Sequence, residues 1–482
     1  MATEHLRLGV ALVALSCVAA CSQSADSLGD SAGSPAAAAG STSSGNDSGN
    51  GSIAGSSGAA AGALPPEKEL DQTFRAPVAT GKVLWSANPD SGRVALIDAE
   101  TLAVRMTNAG FGPTYLAAVP SAPGTNSAIV LNVGSNDASW FVATAKSITT
   151  TTIPTHSGAN SWAVSSSGRF AIAWTNASQI QGGAADPVNG YSELTVLDLS
   201  ATPPTSTRLS VGFRPSQVVF DQAEKHAYVV VDEGISVLNL GDETTLYRLI
   251  AASSSTSAAP VRDVNFAPDG SFAAVRVDGS ADIEILALPE GPRQVVPLKS
   301  SVTDLDLSAD GKTATAVLGD ETPPQVVSFG VPTPSGDPAQ FESATLSGEF
   351  VRSVTLAPDA KVAVLYANAV PSSHVTLLNT SPGAGHLGFR TVDVQGAVQS
   401  VYVSPDSRTA ITLQTPPPGS TKIGLFSIIP TESVRSPRIV GTDALPSDVV
   451  FSDAAFGKAL VTVHDTVSAV HGVYVVGLDN LE

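Results

Sequence analysis

Apolar and polar side chains alternate in short runs along most of the chain, and turn residues punctuate the runs. The segment 263–277, DVNFAPDGSFAAVRV, gives the pattern in its clearest form. Alternation places Val264 and Phe266 on one face and Asp263 and Asn265 on the other; Pro268, Asp269 and Gly270 supply turn chemistry, and FAAVRV reads as a second strand. The unit is a hairpin. Related hairpins begin at Tyr115, Trp162, Gln217, Asp304, Ser353, Ser400 and Asp448, at intervals of 41 to 55 residues, a period that marks supersecondary units stacked into one body.

Ahead of these hairpins, VLWSANPDSGRVALIDAETLAVRM (residues 83–106) resembles the YVTN-type β-propeller repeat, with Ala87 and Asn88, Ile97 and Asp98, and Thr101 in the motif places. The later turns resemble the other half of that repeat, a strand leading into Ser-Pro-Asp-Gly: APDG at Ala267, SADG at Ser308, APDA at Ala357 and SPDS at Ser404. The units at Gln217 (turn DQAE) and Asp448 depart from it. The resemblance covers about residues 75 to 480 and implies an all-β fold, a single β-propeller of WD-repeat-like, four-stranded blades. Around Asp304 the four strands read LDLS, TATAVL, QVVSF and SATL, from the inner edge outward. One such sheet cannot bury both faces, so radial neighbours must cover its Val, Leu and Phe rows. Eight inner strands are legible. The N-terminal segment offers second, third and outer strands and the C-terminal one inner, second and third, which leaves two over. Eight blades closed by pairing of the two termini is the expectation, with seven blades and extra edge strands as the alternative.

Composition agrees with strands. Aromatics are only 5% and charged residues 14% of a chain that carries 42 Gly and 33 Pro, and apolar residues at helical spacing are scarce. The net charge of −19 argues against nucleic acid, whose phosphates need a basic surface, and reads as solubility.

Residues 1–20 read as a secretory leader: Arg7 is followed by an apolar run from Leu8 to Ala20, too short to span a bilayer, that ends in small residues. Val18, Ala19, Ala20 and Cys21 resemble the lipobox of bacterial lipoproteins, which implies lipidation of Cys21 as the new N-terminus and a membrane anchor. Cys17 would leave with the leader, so the folded body would hold no thiol for a disulfide, a thiolate metal site or haem attachment. Ser22 after the Cys resembles outer-membrane rather than inner-membrane sorting, with the protein periplasmic or surface-exposed. The rest of 21–70 is a Ser/Gly/Ala-rich linker without aromatic or basic residues up to Leu64, a disordered tether with a span of roughly 35 Å. The folded domain is expected over 71–482.

Candidate chemistry is sparse. Gly29 to Gly33 matches G-x-S-x-G and Gly383 to Gly388 matches G-x-G-x-x-G, but neither sits in the strand-to-helix context its chemistry needs. Asp263, Asp304 and Asp448 open inner strands, with Asp306 one layer deeper, so their carboxylates approach one mouth of the central channel. They are read first as residues that bond turn backbone; a divalent cation such as Ca2+ is the alternative. Arg214, Arg262 and Arg352 precede inner strands as possible ion-pair partners, and His464, Asp465 and His471 fall in what reads as one loop. Variable second-to-third-strand loops, longest from Asn176 to Ser192, mark the binding face. The expectation is a monomeric, lipid-anchored, non-catalytic propeller of the cell envelope, without cofactor, that binds a protein, peptide or glycan. The alternative is a hydrolase similar to the lactonases of the YVTN-like group, using the same carboxylates.

Overall fold

A computed structural model describes residues 12–14, 77–180, 191–241, 243–252, 262–331, 341–380, 388–451, 457–465 and 470–478. Strands dominate them, grouped in nine antiparallel sheets of four. Each sheet is a blade, and in the first eight the four strands follow one another in sequence from inner to outer edge.

The repeat turns show why one sequence pattern yields one local structure. At Gly168, Gly270 and Gly311 the chain takes a positive φ, and the amide of that residue closes a short turn onto the carbonyl three residues earlier. Where the glycine is replaced, Glu224 (φ 51), Ala360 (φ 55) and Ser407 (φ 64) adopt the same left-handed conformation and close the same turn, so DQAE is a variant of the motif. The Asp of the motif contributes by a local bond. Asp269 Oδ1 accepts the Ser271 amide and Asp310 Oδ1 accepts the Lys312 amide, fixing entry into the second strand.

Second and third strands are buried on both faces, which explains their near-continuous apolar runs. In Phe170–Trp174, Ala171 and Ala173 pack toward blade two, while Phe170, Ile172 and Trp174 pack toward blade four. Each pair of neighbouring blades shares one such cluster. Blades one and two join through Trp85, Leu96, Leu116 and Phe141, and blades eight and nine through Leu413, Phe426, Val461 and Tyr474. The ring closes through a thinner cluster between blades one and nine, whose buried members are Leu84, Ile97 and Leu460, with a hydrogen bond from Lys458 Nζ to the Ala99 carbonyl at 3.1 Å.

The blade number corrects the expectation of eight, and the alternative of seven. All eight expected inner strands form. The two strands left over belong to separate blades, because a ninth inner strand, Val78–Thr80, precedes the YVTN-like segment. Its three residues turn directly at Gly81 into Val83–Asn88, too short a run to show alternation. The last blade takes inner, second and third strands from Leu445–Phe451, Lys458–Asp465 and Val470–Gly477, and its fourth from Leu12–Ala14.

Candidate binding face

In an antiparallel four-stranded blade, the second-to-third turns and the connections to the next blade lie on one face of the ring, where the inner-strand aspartates also begin. The carboxylates are engaged there. Asp304 Oδ1 accepts the Leu305 amide at 2.8 Å, and its Oδ2 reaches across to the Val354 amide of blade seven at 2.7 Å. Asp306 repeats the pattern two residues on, accepting from Leu307 at 2.8 Å and from Leu356 of blade seven at 2.7 Å. An inner strand is a sheet edge whose amides have no neighbouring strand to accept them. The Asp-Leu-Asp spacing puts both carboxylates on one side of the strand, aimed at those amides. Asn265 does the same work between blades five and six, donating from Nδ2 to the Leu305 carbonyl at 2.8 Å. Asp448 Oδ1 accepts the Val449 amide at 2.8 Å, three blades beyond Asp304.

Asp263 is tied instead to a residue that the sequence reading passed over. Arg276 is 3% exposed and lies cross-strand from Asp263, with Nε 3.8 Å from Asp263 Oδ2 and Nη1 on Asp278 Oδ1. Burial works against its charge, and the carboxylates of Asp263, Asp304 and Asp278 outweigh it, holding its pKa above the ordinary value. A guanidinium thus sits among the aspartates that were candidates for a divalent cation. The signal was present: Arg276 is the one charge in FAAVRV, at the position opposite Asp263. Arg352 pairs with Asp320 at 2.6 Å and Arg214 with Asp232 at 2.6 Å, so neither of these ion pairs involves an inner-strand aspartate; the Arg262 side chain lies outside the described residues.

His464, Asp465 and His471 are not in one loop. His464 and Asp465 end one strand, His471 lies on the next, and His464 and His471 are cross-strand partners. Their side chains, Cys21, both glycine-motif matches up to residue 387, and residues 181–190 of the long loop lie outside the described residues. No group of three or more His, Cys, Asp or Glu placed to hold a metal ion occurs among the described residues.

What this face offers is aromatic and charged surface. Phe111 is 74% exposed beside Val133 at 46%. Between blades three and four, Tyr191 meets Phe213 edge-on at 6.5 Å, and the Arg214 guanidinium stacks on Phe213 at 5.3 Å while bonding Asp232. The Phe213 amide donates to Glu233 Oε2 at 2.8 Å, which pins the loop to the neighbouring turn. Rings fixed in this way present apolar area at little entropic cost, the property that makes aromatics and arginine effective in recognition.

No protein-family model matches the chain, and no curated protein matches it. Solved structures do. Dihydro-heme d1 dehydrogenase NirN, in a complex with DHE, superposes with a TM-score of 0.51 at 12% identity over 87% of this chain and 76% of its own. Hydrazine synthase from Kuenenia stuttgartiensis (TM-score 0.38, 16% identity, 64% of this chain and 92% of that one) and the β-propeller domain of Cps50 (Swd1) from Myceliophteria thermophila (0.40, 10%, 67% and 99%) also match. At 12% identity the likeness to NirN is one of fold alone, and the four-stranded blades of this chain make that fold a β-propeller.

Proposed function

We propose that this is a lipid-anchored propeller of the YVTN-like kind that stands off a bacterial envelope membrane, the outer membrane in the first instance, and binds a protein, peptide or glycan without catalysis. The observation that carries the reading is the employment of the inner-strand carboxylates. Asp304 and Asp306 hold backbone amides of the next blade, and Asp263 faces a buried guanidinium. A lactonase-like hydrolase would need those same groups as metal ligands or general base. As blade-to-blade staples, Asp304 and Asp306 make the ring rigid, and a rigid ring displaying Phe111, Tyr191, Phe213 and Arg214 suits recognition.

Two experiments test it. Cys21→Ser should move the protein from the membrane to the soluble fraction; a variant that stays with membranes, alongside wild type that takes up no labelled fatty acid, would overturn the anchor. Envelope extracts passed over the immobilised protein should yield a protein or glycan that a Phe111→Ala, Phe213→Ala variant of unchanged melting temperature fails to retain. Equal retention by both would remove this face from the binding reading, and turnover of a lactone abolished by Asp304→Asn would replace binding with hydrolysis.

A further inference from the structure

Blade nine differs from the others in where its outer strand comes from. In the eight preceding blades the outer strand follows the third in sequence and carries polar residues, as in Ile148–Pro154 (ITTTTIP), Thr205–Ser210 (TSTRLS) and Phe389–Asp393 (FRTVD). The final strand, Val470–Gly477, ends in GVYVVG and has the composition of a third strand, comparable with Arg93–Asp98 (RVALID) or His374–Asn379 (HVTLLN). Like them it is apolar toward both faces: Tyr474 and Val476 pack against blade eight, and Val473 and Val475 against blade one. No Lys or Pro guards its outer edge, as natural edge strands usually require. That edge is occupied by Leu12–Ala14, antiparallel, with Leu12 opposite Tyr474, Val13 opposite Val473 and Ala14 opposite Gly472. These residues belong to the uncharged run that the sequence reading removes before Cys21.

We propose that the outer edge of Val470–Gly477 is a strand-acceptor site, which in the processed protein takes an extended, uncharged apolar segment of a partner polypeptide, antiparallel and in the place of Leu12–Ala14. The chemistry of the occupant follows from the segment seated there. Backbone amides and carbonyls of the edge supply the attraction, and the apolar blade faces on either side select small and branched apolar side chains over charged ones. Leu12–Ala14 spans three residues of an eight-residue acceptor, so a partner strand has room to pair further than the leader does. The proposal rests on removal of the leader, which the N-terminal mass of the protein recovered from membranes tests separately: a chain still carrying residues 12–14 would refute processing and leave the acceptor itself to the assay below.

That assay compares the processed chain (residue 21 onward, Cys21→Ser) with the full-length chain carrying the same substitution. The probe is a fluorescent peptide of residues 8–16, LGVALVALS, with a solubilising Lys tail, read by anisotropy. Saturable binding to the processed chain is expected, at least about tenfold weaker to the full-length chain, whose own leader competes at high effective concentration. Amides along a strand point alternately toward and away from the neighbour. Of two peptides methylated on alternate backbone nitrogens, one should therefore lose about tenfold or more in affinity and the other should bind like the parent. Equal loss in both would mean apolar adhesion and overturn strand pairing, as would equal binding to both chains. A monomeric processed chain that binds no peptide would mean that its own residues cover the edge. A dimer of the processed chain that the peptide cannot dissociate would assign the edge to a second copy.

Discussion

His156 provides a sharp test of how closely the blades are packed. It lies at the blade two to blade three junction, 1% exposed, with its amide and Nδ1 on Thr195 Oγ1 at 3.0 and 2.9 Å and its Nε2 on Thr175 Oγ1 at 3.2 Å. Thr175 gives its hydroxyl hydrogen to the Gly158 carbonyl at 3.0 Å, so it can only accept from the ring. This network assigns the hydrogen to Nε2 and leaves Nδ1 as the acceptor for Thr195. Protonation of Nδ1 would break that bond and bury a cation near Arg208, whose Nη2 donates to the Thr155 carbonyl. Burial first, and the Arg208 charge second, push the His156 pKa down to about 4. In the unfolded chain it is about 6.5. Between those values the unfolded state binds more protons, so stability from this group is complete above about pH 6.5, declines as pH falls, and is exhausted near pH 4. The full difference is worth about 3 kcal/mol, of which about 2 kcal/mol is lost by pH 5. His156→Gln cannot take up this proton. Urea unfolding from pH 7.5 to pH 5, followed by tryptophan emission from Trp162 and Trp174 of the same blade, should show wild type losing about 2 kcal/mol more than the variant, whatever constant offset the substitution introduces. Carboxylate titration is common to both proteins and cancels. Curves that stay parallel over this range would refute the assignment of a buried neutral imidazole.

The aspartate staples predict that Asp304→Asn and Asp306→Asn each lower stability by about 1 to 3 kcal/mol, because an amide cannot replace a carboxylate that accepts two backbone hydrogens. Calorimetry in calcium and in chelator checks this, and a calcium-dependent rise in the wild-type melting temperature that the variants lack would identify a cation site instead. Arg276→Met leaves Asp263 and Asp278 without their shared cation and should cost about 3 kcal/mol, measured by urea unfolding; a neutral result would mean that the cluster is solvated. Ala360→Gly relieves a left-handed alanine and should raise stability by roughly 0.5 to 1 kcal/mol, with no gain if the turn opens in solution.

Much of the ring was legible in the chain because a blade is built locally. A hairpin needs alternation on two strands and turn chemistry between them, and DVNFAPDGSFAAVRV contains both, so eight inner strands could be placed. Even the departing turn DQAE, with Glu224 in the left-handed place, obeyed the turn that neighbouring repeats declared, while the turn of the Asp448 unit lies outside the described residues. Closure was different in kind. Whether three strands at one end complete three at the other depends on which edges meet in space, and Val78–Thr80 is too short to announce itself by periodicity. The aspartates followed the same division. Their spacing along an inner strand placed them on one side of it, but only the register of adjacent blades decided that Asp304 and Asp306 would meet backbone amides, whereas Asp263 meets Arg276 within its own hairpin. Local pattern specifies a strand and the direction of its side chains; the identity of what those side chains face is set by packing between units some fifty residues apart, on which local periodicity is silent.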